Sequence, residues 1–196
     1  MHDLLNDLAK YVCADFCFRL KFYNEKCMSK TTRHFSFEFR DVESFDGFES
    51  LTDAKRLRSF LSISAFGGWH FKILIHDLFS KIKFIRVLSF RGCVDLREVP
   101  DSVGDLKHLQ SLDLSFTFIQ KLSDSICLLY NLLILKLSSC SLLEEFPSNL
   151  HKLTKLRCLE FEGTKVRKMS MYFGELKNLQ VLSMFFVDKN LSLIHI

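Results

Sequence analysis

The chain has 196 residues, of which 48% are apolar and 26% charged, and its formal net charge is +4. This composition indicates a globular rather than a disordered chain, with one large or two small domains. With 7 glycines and 2 prolines a loop-rich all-β sandwich is disfavoured, and the absence of any run of five basic residues argues against a nucleic-acid partner.

The cysteines and the start of the chain indicate a compartment. There are 7 cysteines, an odd number, and no two of them form a C-x-x-C pair. The first residues lack the basic and apolar segments of a secretory signal. We therefore expect reduced thiols in a cytoplasmic protein. The longest apolar stretch, residues 126–137, is too short to cross a membrane, so we expect no membrane span.

The first 22 residues are expected to begin with a short helix. Apolar residues recur at helical spacing after Asp3, which can cap a helix from about Asp3 to Phe16. Residues 23–31 are polar and predict a loop.

Two apolar alternations follow, at Thr32–Phe39 and Leu57–Ile63, and each predicts a half-buried strand. Apolar residues between Phe71 and Phe84 predict a helix that leads to Ile85. We interpret residues 23–84 as a linker and degenerate first turns of a repeat array, since such arrays have atypical ends.

A repeated pattern organises the rest of the chain. Its copies share the order apolar, two variable, apolar, one variable, apolar, and they open at Ile85, Leu109, Leu132, Leu156 and Leu179. The spacings of 24, 23, 24 and 23 residues are typical of a stacked repeat. Alternating apolar residues in each copy predict a short strand, and later three-residue steps predict a helical or 3₁₀ return.

The ninth residue of the first four copies is small and weakly polar: Cys93, Thr117, Cys140 and Thr164. We expect these side chains to turn inward and to bond backbone carbonyls at the turn. Further on, Pro100 and Pro147 occupy equivalent positions in the two cysteine copies.

These patterns predict an α/β solenoid with a parallel sheet on its concave side, preceded by a short N-terminal helix and an irregular capping region. The predicted units are a helical remnant at 1–22, the degenerate region at 23–84, regular repeats at 85–190 and an atypical tail at 191–196.

Variable strand positions point away from the core and form the candidate protein-interaction surface. The wider set also includes Val87, Ser89, Ser115, Ile134, Ser139, Cys158, Val181, Ser183 and Phe186. The residues chosen from it as most informative are Arg91, Ser111, Asp113, Phe116, Lys136, Ser138, Glu160, Glu162 and Phe185. Separated charges of both signs among apolar residues suit a protein partner. A solvated sheet face without a ligand is the alternative.

The pattern from Ile85 to Leu179 resembles the leucine-rich repeats of plant intracellular immune receptors, in which a nucleotide-binding switch domain precedes the repeats. The opening Met1-His2-Asp3-Leu4-Leu5 is similar to the M-H-D segment that ends the switch region of coiled-coil-type disease resistance proteins. The resemblance reaches to about Asn190.

In that family, the histidine matching His2 contacts the phosphate of bound ADP. His2 and Asp3 match the motif, but the chain has no G-x-x-x-x-G-K-[ST] phosphate loop, so we expect no cofactor. A zinc site built from Cys13, Cys17, Cys27 and His34 fits no common zinc spacing, so we expect no metal.

No catalytic constellation is recognisable, and we expect the chain not to be an enzyme. The resemblance implies a plant defence module that recognises a protein or autoinhibits a receptor. Its partner would be a pathogen-derived ligand or the switch domain of a related receptor. The alternative is an incomplete gene model of a full ADP/ATP-switched receptor. We also expect self-association through an uncapped repeat end near Met184 to Val187.

Overall fold

The structure is a computed structural model that describes residues 16–20, 31–37, 43–45, 55–63, 69–71, 75–169 and 172–184. The strands are β1 (Cys17–Leu20), β2 (His34–Phe37), β3 (Glu43–Phe45), β4 (Ser59–Ser62), β5 (Trp69–Phe71), β6 (Val87–Ser89), β7 (Ser111–Asp113), β8 (Ile134–Lys136), β9 (Cys158–Glu160) and β10 (Val181–Leu182). The helix α1 covers Ile75–Lys81, and 3₁₀ helices η1 to η4 cover Asp101–Asp105, Asp124–Leu128, Leu150–Lys152 and Phe173–Glu175.

Eight of the described strands form one parallel sheet in the order β1, β2, β4, β6, β7, β8, β9, β10. Strands β3 and β5 pair separately, also in parallel. Because each strand of the large sheet lies beside the next one along the chain, the backbone coils in one direction and returns on the opposite side. The 3₁₀ helices occupy that return side, as the three-residue apolar steps predicted. The predicted solenoid with a parallel sheet is confirmed.

The core is a column of apolar side chains between the sheet and the returns. The apolar residues that recur through the Ile85 and Leu109 copies are buried, among them Leu88 and Leu112 in the strands and Val103 and Ile126 in the returns. Burial is looser toward the last described copy, where Met169 and Phe173 are only partly covered. Leucine gives way to phenylalanine at the other end, where Phe60 stacks on Phe35 at 5.4 Å between ring centroids.

The turn that leaves each strand requires a left-handed backbone at the eighth residue of the repeat. Positive φ angles occur at Gly92 (76°), Phe116 (61°), Ser139 (62°) and Gly163 (77°), which are equivalent positions in successive copies. Glycine adopts this conformation without a steric penalty, whereas other residues are strained by about 1–2 kcal/mol. Two of the four copies therefore place a strained residue at the same point.

The ninth residues turn inward as predicted, and all four are buried. The Thr117 hydroxyl donates to the Leu114 carbonyl at 2.7 Å, and the Cys140 thiol donates to the same oxygen at 3.1 Å. The Thr164 hydroxyl donates to the Phe161 carbonyl at 2.9 Å. These short donors satisfy carbonyls that the sheet leaves unpaired at the turn.

The N-terminal part contains two features that the sequence interpretation did not include. Just before the predicted boundary at residue 22, which stays a prediction, β1 pairs in parallel with β2 and extends the repeat sheet. The reason is that Phe18 stacks on Phe35 at 5.8 Å and continues the core column. Phe71, where the predicted helix began, lies in β5 instead, and α1 begins at Ile75.

The predicted helix from Asp3, with His2 and Asp3, lies outside the described residues, as does the tail at 191–196. The domain limits at residues 84 and 190 stay predictions.

Candidate functional site

The outward side chains of the large sheet form two rows across the strands. Strand register aligns Val87, Ser111, Ile134, Cys158 and Val181 in the first row. The second row contains Ser89, Asp113, Lys136 and Glu160. Each residue of a row therefore lies beside the equivalent residue of the neighbouring copy, because adjacent strands are about 4.8 Å apart. The alternation that buries the leucines is what places these residues on the outside.

Four of the predicted site residues, Ser111, Asp113, Lys136 and Glu160, belong to these rows. Four more follow directly after the strands: Arg91, Phe116, Ser138 and Glu162. The backbone carbonyls of Ser138 and Glu162 accept hydrogen bonds from Phe116 and Ser139 at 2.9 and 2.6 Å. The hydrogen bonds between neighbouring copies thus continue past the strands. They hold the four residues of the rows and the four residues that follow the strands on one face. Phe185 lies outside the described residues.

An ion pair links two neighbouring copies at the centre of this face. Lys136 Nζ lies 3.1 Å from Glu160 Oε1, with side chains that are 37% and 30% exposed. The Cys158 thiol donates to the same carboxylate oxygen at 3.5 Å. At this exposure the pair stabilises the fold by only about 0–1 kcal/mol, so its charges remain available to a partner.

A second contact joins an arginine to the strained aromatic residue. The Arg91 guanidinium lies 4.3 Å from the centroid of the Phe116 ring, and the Phe116 side chain is 50% exposed. A cation over an aromatic face contributes about 0.5–1 kcal/mol at an exposed site. This stabilisation is comparable in size with the cost of the backbone strain at Phe116. The contact therefore holds an apolar ring on the surface.

For two residues of the wider predicted surface, Ser89 and Ser115, the prediction of an exposed side chain is wrong. Ser89 and Ser115 are 4% and 1% exposed and cannot contact a partner. The Ser89 hydroxyl donates to the Ser62 carbonyl at 3.5 Å, and the Ser115 amide donates to Asp113 Oδ1 at 2.9 Å. The Ser89 hydroxyl thus bonds the neighbouring strand β4, and Ser115 takes part in its turn through the backbone amide.

The sequence interpretation missed the N-terminal extension of the face. Register aligns Cys17, His34 and Ser59 with Val87, and it aligns Arg19, Ser36 and Leu61 with Ser89. The alternation of Phe35 and Phe37 with polar residues already implied that His34 and Ser36 point outward. The same alternation is present in β1, where Phe18 and Leu20 alternate with Cys17 and Arg19, but the sequence interpretation assigned these residues to the helical remnant at 1–22.

Cys93, Cys127, Cys140 and Cys158 are free thiols, and their surroundings make them poor nucleophiles. Burial raises the pKa of the Cys93 thiol to about 12 and that of Cys127 to about 11. Burial also raises the pKa of Cys140 and, with the Glu160 carboxylate, that of Cys158. Within the described ranges, no group of three His, Cys, Asp or Glu residues is arranged to hold a metal ion.

None of the helices in the described part of the chain is both long and apolar enough to span a membrane.

The solved structures that resemble this fold are repeat solenoids. A leucine-rich-repeat protein of Leptospira interrogans aligns with a TM-score of 0.68 and 20% identity, covering 88% of this chain and 44% of that one. The leucine-rich-repeat ectodomain of the receptor kinase GASSHO1/SCHENGEN3 of Arabidopsis thaliana aligns with a TM-score of 0.65 and 20% identity, covering 83% and 19%. At these identities the likeness concerns the fold.

Sequence relatives are more specific. The Arabidopsis thaliana protein At3g14460, whose name places it among disease resistance proteins, is 38% identical over 142 residues, which are 70% of this chain and 10% of the relative. The RPP13-like protein 1 of the same plant, named in the same way, is 36% identical over 67% of this chain and 13% of its own length. The chain thus spans about a tenth of the length of these relatives.

The family model described as a leucine-rich repeat region matches residues 56–195. This range contains all the regular copies and the strand β4, so the match and the sheet register describe the same units. The chain therefore belongs to the leucine-rich-repeat family, and the relatives that it matches in sequence are plant disease resistance proteins.

Proposed function

We propose that this chain is a non-enzymatic recognition module of plant defence that acts in the cytoplasm and binds a protein through the outward face of its sheet. The free thiols of Cys93, Cys127 and Cys140 suit a reducing compartment. The relatives named as disease resistance proteins support the link with defence.

The observation that carries the proposal is the register of the outward rows. It brings Asp113, Lys136 and Glu160 from three copies side by side. It also leaves the Phe116 ring half exposed beside Arg91. Interfaces between proteins are enriched in aromatic residues and arginine at their centres and in polar residues at their rims. The face combines these features across several strands, which suits a folded partner or an extended segment better than a small molecule.

The partner would be the switch domain of a related receptor or a pathogen-derived protein. Only the first can be prepared without further knowledge, since At3g14460 is a relative of defined sequence. The probe is therefore the part of At3g14460 outside its matched segment, purified and titrated into the full chain by calorimetry.

We expect saturable binding that Lys136→Glu and Glu162→Lys each weaken at least about tenfold, which corresponds to about 1.4 kcal/mol. Lys152→Glu is the matched control, because Lys152 is exposed on η3, on the return side, and its reversal changes the net charge as Lys136→Glu does. Equal weakening by Lys136→Glu and Lys152→Glu would show that the sheet face is not the binding surface. Failure of the wild-type chain to bind the probe would contradict the switch-domain partner.

The alternative function is a place within a complete receptor switched by ADP and ATP. The fact that favours it is that the chain spans about a tenth of its relatives' length. In that case His2 and Asp3 would serve a nucleotide site formed by preceding residues. Sequencing of full-length transcripts decides: a phosphate-loop motif in frame upstream of Met1 supports this alternative, and an in-frame stop codon excludes it.

A further inference from the structure

The turns that lead into the strands collect basic residues along one edge of the large sheet. The strands β4, β6, β7, β8, β9 and β10 each follow an apolar opening residue that packs in the core: Leu57, Ile85, Leu109, Leu132, Leu156 and Leu179. The two residues before each opening residue and the one after it make three positions in each of these six units.

The charge at these positions has one sign. None of the residues there is acidic, and nine are basic: Lys55, Arg56, Arg58, Lys83, Arg86, Lys107, Lys155, Arg157 and Lys177. The whole chain has 27 basic and 23 acidic residues, so the one-sided charge belongs to these positions and not to the composition. We call the nine residues the basic edge.

Backbone hydrogen bonds fix the spacing of the basic edge. The Arg86 amide donates to the Arg58 carbonyl at 2.7 Å, and the Arg157 amide donates to the Leu133 carbonyl at 2.8 Å. An equivalent bond joins every other pair of neighbouring units from β4 to β10. Since adjacent strands are about 4.8 Å apart, the six units form an edge about 24 Å long. The fold thus brings together basic residues that are not consecutive in the sequence.

The fold does not neutralise these charges. Within the described ranges, none of the nine side chains takes part in an ion pair. Two of them contact neutral groups instead: Lys155 Nζ donates to Asn131 Oδ1 at 2.8 Å, and the Arg58 guanidinium donates to the Phe84 carbonyl at 3.1 Å. Like charges at this spacing repel one another, so an anionic surface that covers the edge would relieve the repulsion.

The centre of the edge is uncharged. In the unit of β8, the three positions hold Tyr130, Asn131 and Leu133. The Tyr130 side chain is 54% exposed, and Leu133 is partly exposed. Basic residues lie on both sides of this centre, since Lys107 belongs to the preceding unit and Lys155 to the following one. The edge therefore combines an aromatic and apolar centre with two basic flanks.

This combination favours the surface of an anionic membrane over a nucleic acid or an acidic protein. A nucleic-acid strand that followed the edge would cross the β8 unit without a basic contact to its phosphates. Interfaces between proteins are depleted in lysine, whereas five of the nine residues are lysines. A membrane interface accommodates lysine and arginine among its headgroups and takes up an exposed tyrosine ring beside them.

We propose that the basic edge is a peripheral docking surface for a membrane that contains phosphatidylserine, the anionic lipid of cytoplasmic leaflets. The basic side chains lie among the headgroups, and the Tyr130 ring enters the interface between them. Docking is reversible and weakened by salt, because most of the attraction is electrostatic.

This inference does not depend on the proposed binding of a protein, because the two surfaces use different residues. The basic edge lies in the turns before the strands, whereas Lys136 and Glu160 lie in the strands. A chain that docks by this edge keeps the outward face of its sheet open to a partner.

The test is co-sedimentation of the full chain with vesicles of phosphatidylcholine, prepared with and without phosphatidylserine. We expect binding to the vesicles that contain phosphatidylserine and a loss of that binding at high salt. Arg86→Gln and Arg157→Gln should each weaken the binding about fivefold, which is the effect of one basic residue near an anionic surface. Tyr130→Ser should weaken it at low and at moderate salt, because the contribution of the ring does not depend on charge.

Arg97→Gln is the matched control, because Arg97 is exposed in the turns that follow the strands and its replacement removes the same charge. It should bind as the wild-type chain does. Equal weakening by Arg97→Gln and Arg86→Gln would overturn the proposal, since net charge would then explain the binding. Equal binding to both kinds of vesicle would also overturn it.

Labelled single-stranded RNA is the second probe, measured by fluorescence anisotropy. RNA binding that Arg86→Gln weakens, in a chain that does not bind the anionic vesicles, would assign the edge to nucleic acid and overturn the membrane proposal.

Discussion

At the scale of single residues, the eighth position of the repeat controls the turn out of the sheet. A Cβ added at Gly163 would lie 3.2 Å from Ser139 Cα, and φ there is 77°. Ser139 itself adopts φ 62° and occupies the equivalent position of the preceding copy. The same backbone conformation is thus unstrained in one copy and strained in its neighbour.

This difference predicts opposite effects of two substitutions. Gly163→Ala should lower the free energy of unfolding by about 1–2 kcal/mol, since it adds both backbone strain and a close contact. Ser139→Gly should raise it by about 0.5–1 kcal/mol, because relief of strain exceeds the added entropy of the unfolded chain. Urea denaturation of the two variants measures both effects. A loss of stability in Ser139→Gly as large as that in Gly163→Ala would show that φ does not decide the outcome.

The inward ninth residues give a second prediction. The Thr164 hydroxyl donates to the Phe161 carbonyl and accepts from the Val166 amide at 3.4 Å. Thr164→Val therefore leaves the Val166 amide without this acceptor and the Phe161 carbonyl with only the long bond from the Thr164 amide, at 3.3 Å. We expect a loss of about 1–2 kcal/mol. Thr117→Val should cost less, because the Cys140 thiol continues to donate to the Leu114 carbonyl. Equal losses in the two variants, measured by urea denaturation, would contradict the sharing of that carbonyl.

Some of these structural features could be predicted from the sequence, and others could not. Cys93, Thr117, Cys140 and Thr164 follow the repeat, so their inward orientation could be predicted from spacing. The left-handed turn was visible only at Gly92 and Gly163, since phenylalanine at 116 and serine at 139 carry no signal for positive φ. The sequence predicted only that Lys136 and Glu160 each face outward. Their ion pair could be recognised only after the strand register had placed them side by side.

At the scale of elements, aromatic stacking joins the N-terminal strands to the regular copies. The Phe60 ring is fully buried and lies 5.3 Å from Phe37 and 5.8 Å from Phe90. It therefore connects β2 and β4 with the turn that follows β6. In a solenoid each unit contacts only its neighbours, so damage at this connection should remain local.

We predict that Phe60→Ala destabilises the N-terminal strands by about 3–5 kcal/mol and leaves the later copies folded. Hydrogen exchange measured by mass spectrometry should show faster exchange in β2 and β4 and unchanged protection in β8 and β9. Leu135→Ala is the matched control, because Leu135 is equally buried in β8 and its loss should affect the later copies first. Uniform loss of protection along the chain in Phe60→Ala would contradict this local coupling.

At the scale of the whole molecule, the array extends in one dimension, so its last strand meets no further described strand. Val181 in β10 is 49% exposed. The apolar segment predicted at Met184 to Val187 lies mostly outside the described residues. Self-association at this end stays a proposal that follows from the risk of an uncovered strand edge.

Light scattering at increasing protein concentration tests the proposed self-association. We expect a mass that rises with concentration in the wild-type chain and stays monomeric in Val181→Lys. Tyr130→Lys is the matched control, since Tyr130 is 54% exposed but follows η2 on the return side. A monomeric wild-type chain at every concentration would refute the proposal.

The central claim is that the outward face of the sheet binds a protein partner through its charges. The double substitution Lys136→Glu with Glu160→Lys tests it most directly, because it keeps opposite charges at the two positions of the 3.1 Å ion pair, and the net charge, while reversing the local polarity. We predict an unchanged melting temperature and affinity for the At3g14460 probe reduced at least about tenfold. Unchanged affinity in a variant that folds as the wild type does would contradict the claim.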